Sequence, residues 1–292
     1  MGLHDILAAN RFTVTPTGLL LNDTSAQPVA DPQVAAGAGG VLSVLALNRN
    51  RNRNRNRNRN RNRNRNRNRN RNRMLDAAPD GGMQEPWRER RKLHELADQW
   101  MALPLAPPPG LDDLRREAVD LLIKQALRRS PAEAQRHEEI HREAGLELSG
   151  YLRPLGIEEL GDYGATESLF YLILALTDEI GLRYKDRFGV LRPNQVEPRL
   201  RPLLPNPAHQ SYPSNHSFQS FSVAFLFSRV LPEHPASSEM FVTARRIAEN
   251  REWAGLHYAS DTAAGYALAR MVAPVLEQVC AEQMLAAQAE WL

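Results

Sequence analysis

Three short segments in the C-terminal half of the chain carry residue types that could do chemistry on an anion. They read KDRFGVLRP from Lys185, PSNH from Pro213 and NREWAGLHYASD from Asn250, which gives the patterns K-x6-RP, PS-x-H and R-x5-H-x3-D. Each has an ordinary explanation when it is taken alone. Basic residues suit a helix end, PSNH suits a helix start, and His257 with Asp261 has the spacing of a helical i, i+4 pair. Taken together, however, they predict a site for phosphoryl transfer.

The cations of these segments match what phosphoryl transfer requires. A phosphoryl group in transfer spreads negative charge over its oxygens, so catalysis is mostly positioning and stabilisation of that charge. We expect Lys185, Arg192 and Arg251 to supply positive charge, and Ser214 and the backbone N–H groups of a helix start to add neutral donors. Because each charge-assisted hydrogen bond is worth about 1.5–3 kcal/mol, a few of them would bind phosphate without a metal ion.

The two histidines and the aspartate would divide the remaining chemistry. A neutral imidazole is a competent nucleophile when a carboxylate holds its other ring nitrogen, and His257 with Asp261 fits that arrangement. The second histidine must start protonated, donate its proton to the departing alkoxide and then activate water. We expect His216 to have this role.

A competing interpretation is a zinc site, because HEEIH (residues 137–141) matches the HExxH pattern. The surrounding run AEAQRHEEIHREAG is strongly charged and offers no apolar wall, and no downstream ligand completes the set. The favoured interpretation is a solvated helix face, and no metal is expected.

The elements that must position these residues are predicted to be helices. From residue 85 to 292 the apolar spacing is helical and strand signals are nearly absent, so we predict an all-α domain. Ser130 and Thr166 are expected helix caps, and Pro274 is expected to kink the last helix. The segment 190–213 holds six prolines and is predicted to be a long loop.

The N-terminal region, residues 1–84, is predicted to be flexible and largely irregular. Residues 48–73 are thirteen Asn-Arg repeats, whose alternating positions are both polar and whose arginines repel one another. We expect this tract to be a disordered insert, with an anion-binding arm as the alternative. Without its arginines the chain has 24 basic and 34 acidic residues, so the basic composition does not indicate a nucleic-acid partner.

Composition gives weaker predictions about the compartment. The single cysteine, Cys280, requires no oxidising environment, and the N-terminus lacks the layout of a secretory signal. Apolar segments such as residues 35–47 and 168–176 are shorter than the roughly 20 residues of a membrane helix. We therefore expect a soluble protein, cytoplasmic by default, with a periplasmic location left open.

On its three motifs the sequence resembles the type 2 phosphatidic acid phosphatase (PAP2) superfamily, whose signature is KxxxxxxRP, PSGH and SRxxxxxHxxxD. The resemblance spans residues 185–261. That superfamily includes soluble bacterial acid phosphatases, membrane lipid phosphatases and vanadium haloperoxidases. The resemblance implies a helical bundle in which the motifs converge, a phosphohistidine on His257, acid catalysis by His216 and no metal in the phosphatases.

Two positions depart from the signature: Asn215 replaces its glycine and Asn250 its serine. We expect the Asn215 N–H to face phosphate while its side chain crowds the pocket. The resemblance favours a metal-independent acid-phosphatase-like enzyme that acts on a small-molecule phosphate ester and needs no cofactor. The alternatives are a vanadate-dependent haloperoxidase with vanadate on His257, and a non-catalytic anion-binding relative.

Overall fold

The computed structural model describes residues 12–15, 18–21, 86–145, 148–157 and 163–292. The Asn-Arg tract and the predicted domain boundary at residue 85 lie outside these ranges, so both stay predictions.

A short β-hairpin lies near the N-terminus. Strands β1 (Phe12–Thr15) and β2 (Gly18–Leu21) pair antiparallel, with Phe12 opposite Leu21. Thr13 and Val14 are β-branched, which favours extended backbone. The sequence analysis did not predict this hairpin within its largely irregular N-terminal region.

The other described ranges contain helices and connecting loops but no strand, as the all-α prediction requires. The α-helices follow one another in this order: α1 (Pro86–Glu95), α2 (Ala97–Trp100), α3 (Leu111–Leu127), α4 (Ala134–Glu143), α5 (Ser149–Leu152), α6 (Gly164–Phe188), α7 (Pro193–Val196), α8 (Asn215–Val230), α9 (Ala236–Trp253), α10 (Ala259–Val279) and α11 (Ala281–Ala289). Two 3-10 turns, Pro131–Glu133 and Arg153–Leu155, precede α4 and follow α5.

Helix α8 is the centre of the core and carries the second motif at its start. It packs against α10, α9 and α6. Phe218, Val223 and Phe227 are fully buried, and the polar side chains of Ser220 and Ser222 are buried as well, so the helix is enclosed on nearly all sides. Gly265 of α10 allows close packing at the α8 start, because a Cβ there would lie 2.6 Å from the Ser214 carbonyl oxygen.

One of the two predicted caps is present as expected. The Ser130 hydroxyl accepts a hydrogen bond from Ala132 N at 3.3 Å. The Thr166 prediction was wrong, because α6 begins earlier, at Gly164. The N–H and hydroxyl of Thr166 both donate to Glu290 near the C-terminus, so a distant carboxylate caps this helix.

The last predicted helix consists of two helices, and the kink expected at Pro274 stays a prediction. Helix α10 continues through Pro274 and ends at Val279, and α11 begins after Cys280. None of the helices in the described ranges is long and apolar enough to cross a bilayer.

Candidate active site

The start of α8 presents a set of hydrogen-bond donors. Ser214 is the N-cap, and its hydroxyl accepts from Ser217 N at 3.4 Å, as PSNH predicts. The first N–H groups of a helix have no acceptor within the helix, so those of Asn215 and His216 are available to an anion. The Ser214 N–H itself donates to the Asp261 carbonyl oxygen at 3.0 Å, which ties the start of α8 to the start of α10.

His257 and Asp261 form the orienting pair that their spacing suggests. The Nδ1 atom of His257 lies 2.7 Å from Asp261 Oδ2, and that oxygen also accepts from Tyr258 N at 3.2 Å and from the Ser211 hydroxyl. The pair does not share one helix. His257 precedes α10 and Asp261 lies in its first turn, where the carboxylate also caps the helix.

The other ring nitrogen of His257 faces a cation. Its Nε2 atom lies 3.0 Å from an NH1 donor of Arg192. Since Nδ1 faces a carboxylate and Nε2 faces a guanidinium, Nδ1 carries the proton and Nε2 keeps its lone pair. Burial lowers the pKa of His257 well below its ordinary value, and the charges of Arg192 and Lys185 lower it further. The imidazole is therefore neutral at neutral pH, as a nucleophile requires.

Arg192 is held by the proline-rich loop and by the third motif. NH1 also donates to the Leu256 carbonyl at 2.8 Å, while NH2 lies 3.1 Å from both Nδ1 and the carbonyl oxygen of His209. The sequence analysis did not single out His209. The only signal would have been a histidine in the loop between the first two motifs. Burial and the charge of Lys185 lower the pKa of His209 to about 4, so its ring is a neutral acceptor for Arg192.

Lys185 directs its ammonium group at the backbone of the same loop. Its Nζ lies 3.1, 2.8 and 2.6 Å from the carbonyl oxygens of Gln210, Ser211 and Pro213. These three contacts match the three N–H donors of a charged lysine. Burial and the charge of Arg192 lower its pKa, whereas the charges of Asp261 and Asp178 raise it. In this arrangement Lys185 shapes the loop before α8 and contributes its charge to the site.

His216 lies within electrostatic reach of the other motif residues. Its Nε2 atom is 3.4 Å from the Glu143 carbonyl oxygen. Burial lowers its pKa well below the ordinary value, and the charges of Arg251 and Lys185 act in the same direction. We had expected His216 to start protonated. The ring is instead neutral at neutral pH without an anion, and a bound phosphate would favour its protonation.

Arg251 differs from the other two cations because it already has an anionic partner. Its NH2 group donates to Glu143 Oε2 at 2.5 Å and to the Ile140 carbonyl at 3.1 Å, both on α4. Its side chain is only 1% exposed, and its Nε atom is buried with no acceptor within the described residues. The phosphate-binding role predicted for Arg251 therefore requires it to share or leave Glu143.

The Asn215 side chain contacts α6, and its crowding of the anion pocket stays a prediction. Asn215 is the first residue of α8, so its backbone is helical, and its Nδ2 donates to Asp178 Oδ1 at 3.1 Å. The side chain lies over Gly181 of α6, where a Cβ atom would be 2.2 Å from Asn215 Oδ1. The absence of a side chain at Gly181 thus leaves room for the Asn215 amide, which stands where the signature has glycine.

The HExxH segment is partly solvated and partly buried. His137, Glu138 and His141 are exposed, as the solvated-face interpretation predicted. Ile140 is fully buried, and Glu143, just beyond the pattern, faces the third motif. Among the described residues there is no group of three or more His, Cys, Asp or Glu residues that could hold a metal ion.

One family model matches part of the chain. Residues 165–283 match the PAP2 superfamily, and this range contains all the predicted site residues. No curated protein matches the sequence.

Two solved structures are similar. A transmembrane PAP2-type phosphatidylglycerolphosphate phosphatase from Bacillus subtilis has 17% sequence identity and a TM-score of 0.43, covering 68% of this chain and 98% of that one. A bacterial vanadium-dependent iodoperoxidase has 14% identity and a TM-score of 0.45, covering 60% of this chain and 53% of that one.

Proposed function

We propose that this chain, whose residues 165–283 match the PAP2 superfamily, is a phosphatase that hydrolyses phosphomonoesters without a metal ion, through a phosphohistidine. The observation that carries the proposal is the orientation of His257. Asp261 accepts its Nδ1 proton at 2.7 Å, and the lone pair of Nε2 faces the Arg192 guanidinium at 3.0 Å. A phosphoryl group bound by that guanidinium would lie beside the nucleophilic nitrogen.

In the first step, His257 Nε2 forms a bond to phosphorus and the bond from phosphorus to the ester oxygen breaks. The departing alkoxide takes a proton from His216, which a bound phosphate keeps protonated. In the second step, His216 accepts a proton from water, the water oxygen bonds to phosphorus, and the bond to Nε2 breaks. The products are the alcohol and inorganic phosphate, and the enzyme returns to its starting state.

The phosphate would be held by the cations and by the start of α8. Arg192 contacts His257 directly. We propose that the charge of Lys185, the N–H groups of Asn215 and His216, and Arg251 act with Arg192 on the same anion. Because these groups are buried, they would stabilise the charge of the transition state more strongly than donors in water do.

The first test is an assay with p-nitrophenyl phosphate. We expect turnover by the full chain and an acid-labile phosphoenzyme when a radiolabelled phosphate monoester is quenched with acid. His257→Ala should abolish both. His137→Ala, which changes an exposed histidine on α4, is the matched control and should retain both. Formation of a phosphoenzyme by the His257→Ala variant would refute the assignment of His257 as the nucleophile.

A second assay, with vanadate, peroxide and bromide, separates the phosphatase from the alternatives. A vanadate-dependent haloperoxidase would hold vanadate through His257 Nε2, and that group would supply peroxide activation. If turnover is seen only with vanadate, peroxide and bromide, the protein is a haloperoxidase and the phosphatase proposal is wrong. A non-catalytic relative would bind phosphate without turnover.

A further inference from the structure

Glu143 at the end of α4 contacts both Arg251 and its neighbour in the third motif, Asn250. Its Oε2 atom accepts from Arg251 NH2 at 2.5 Å, and its Oε1 atom accepts from Asn250 Nδ2 at 2.7 Å. Its backbone carbonyl faces His216 Nε2 at 3.4 Å. The Glu143 carboxylate is therefore already bound to the Arg251 guanidinium, which the third motif would offer to phosphate.

The position of Glu143 is fixed by a second layer of contacts. Arg136 NH1 donates to Asn250 Oδ1 at 2.8 Å, so the amide of Asn250 must turn its Nδ2 toward Glu143. Arg136 is itself held by Glu133 at 2.8 Å and lies 4.4 Å from the Trp253 ring. The asparagine that replaces the family serine thus has a specific role here, because it holds the carboxylate that pairs with Arg251.

The surroundings of Glu143 make its charge state sensitive to pH. Arg251 and Asn250 face it from α9, Glu139 from its own helix, His216 from α8 and Tyr151 from α5. Burial, and to a smaller extent the charge of Glu139, raise the pKa of Glu143 to about 7, because Arg251 and Asn250 only partly offset the loss of solvation.

We propose that Glu143 is a positioning residue of the oxyanion site: its charged carboxylate holds Arg251 on α4, and its protonation releases the guanidinium to the bound anion. The inference rests on the proposed function, since it takes the site to be an oxyanion site. It adds a regulation of that site by pH. The buried Arg251 Nε atom, which has no acceptor in the described part of the chain, is a donor available to the anion.

The direction of the effect follows from the raised pKa. A carboxyl group with a pKa of about 7 is protonated below that pH and charged above it. Anion binding is therefore opposed by Glu143 above pH 7 and unopposed below it. Lys185 and Asp261 also titrate near this range, so the contribution of Glu143 must be isolated by comparing variants at each pH.

The experiment measures sulfate binding by calorimetry, because sulfate is tetrahedral and keeps its charge from about pH 5 to 9. For Glu143→Gln we expect about tenfold tighter binding than wild type at about pH 8.5, the size expected when one close opposing charge is removed. Near pH 5.5, where Glu143 is already neutral, the variant and the wild type should agree within about twofold.

The matched control is Glu138→Gln, which removes the same charge from an exposed position on the same helix. Its affinity should follow that of wild type at both pH values, which excludes a general effect of charge. A ratio of Glu143→Gln to wild-type affinity that does not change with pH would overturn the inference.

A second measurement applies to the wild type, so that the proposal remains testable if the variant does not fold. Sulfate binding near pH 7.5 should be accompanied by proton uptake at Glu143 and at His216, detected from the dependence of the binding heat on the buffer; zero uptake overturns the inference. Absence of sulfate binding at every pH would overturn the proposed function as well. Absence of turnover, with the expected pH-dependent ratio, would overturn the phosphatase proposal and leave the role of Glu143 in place.

Discussion

At the scale of single residues, the buried charges of the site are bound to one another and to the backbone. The three N–H donors of Lys185 match three loop carbonyls, Arg192 contacts His209, Leu256 and His257, and Arg251 pairs with Glu143. Such preorganisation fixes the direction of each donor before a ligand arrives. It also means that a ligand competes with groups already present, which is why we expect affinity to depend on how those groups ionise.

His216 is expected to matter most when the leaving group is poor. An alkoxide is a poor leaving group unless it is protonated, whereas an aryloxide depends less on protonation. His216→Ala should therefore lower kcat by about a hundredfold or more on an alkyl phosphate and by less on p-nitrophenyl phosphate. Equal losses on the two substrates would contradict the acid role.

The same residue predicts a pH dependence for the wild type. Burial lowers the pKa of His216, so less of its acid form is present as pH rises. The second proton of a phosphate monoester is lost with a pKa of about 6. Rates of alkyl phosphate hydrolysis should therefore fall from about pH 5 to pH 8. A rate that rises over this range would show that His216 does not donate a proton.

At the scale of elements, the site depends on two close helix contacts made through glycines. Gly265 of α10 meets the start of α8, and Gly181 of α6 accommodates the Asn215 amide. In the second contact, Asn215, which stands where the PAP2 signature has glycine, packs against Gly181.

This pairing can be tested by a double-mutant cycle. Gly181→Ala should destabilise the protein by about 1–3 kcal/mol, because the new methyl group overlaps Asn215 Oδ1. Asn215→Gly in the same chain should recover much of that loss, and the two changes should be strongly coupled in chemical denaturation. Gly150→Ala is the control, since a Cβ there would lie 3.6 Å from Ile247 Cδ1, an ordinary contact. Additive effects of the two changes would contradict the pairing.

The sequence predicted the parts of this arrangement that depend on local pattern. The all-α region, the Ser214 cap and the three motifs follow from periodicity, capping chemistry and spacing. It did not predict that Glu290 caps α6, or that Glu143 reaches Arg251 across 108 residues of chain. Those contacts depend on which helices become neighbours, and helix periodicity gives the buried face of a helix without naming its partner.

At the scale of the whole molecule, the residues of the proposed site lie between α4 and the start of α10. The helices that carry them belong to the range 134–279, and most of them lie within the PAP2 match. The Asn-Arg tract is at least 60 residues away in sequence and lies outside the described ranges. None of the site residues named above belongs to the tract.

Deleting residues 48–73 should therefore leave turnover of p-nitrophenyl phosphate within about twofold of the full chain, because no side chain of the site is removed. The measurement is kcat and KM for both proteins at low and at moderate salt, since a cationic arm would act through screened charges. A large rise in KM confined to low salt would support the anion-binding arm instead.

The hydrogen bond from Ser214 N to the Asp261 carbonyl joins the second motif to the third through the backbone. A shift of the donors at the start of α8 would therefore also move Asp261, the residue that orients His257. Local opening of either helix start exposes both, so their amide protons should exchange with solvent as a single unit. An oxyanion that seals one of these helix starts would slow deuterium uptake at the other, 47 residues along the chain.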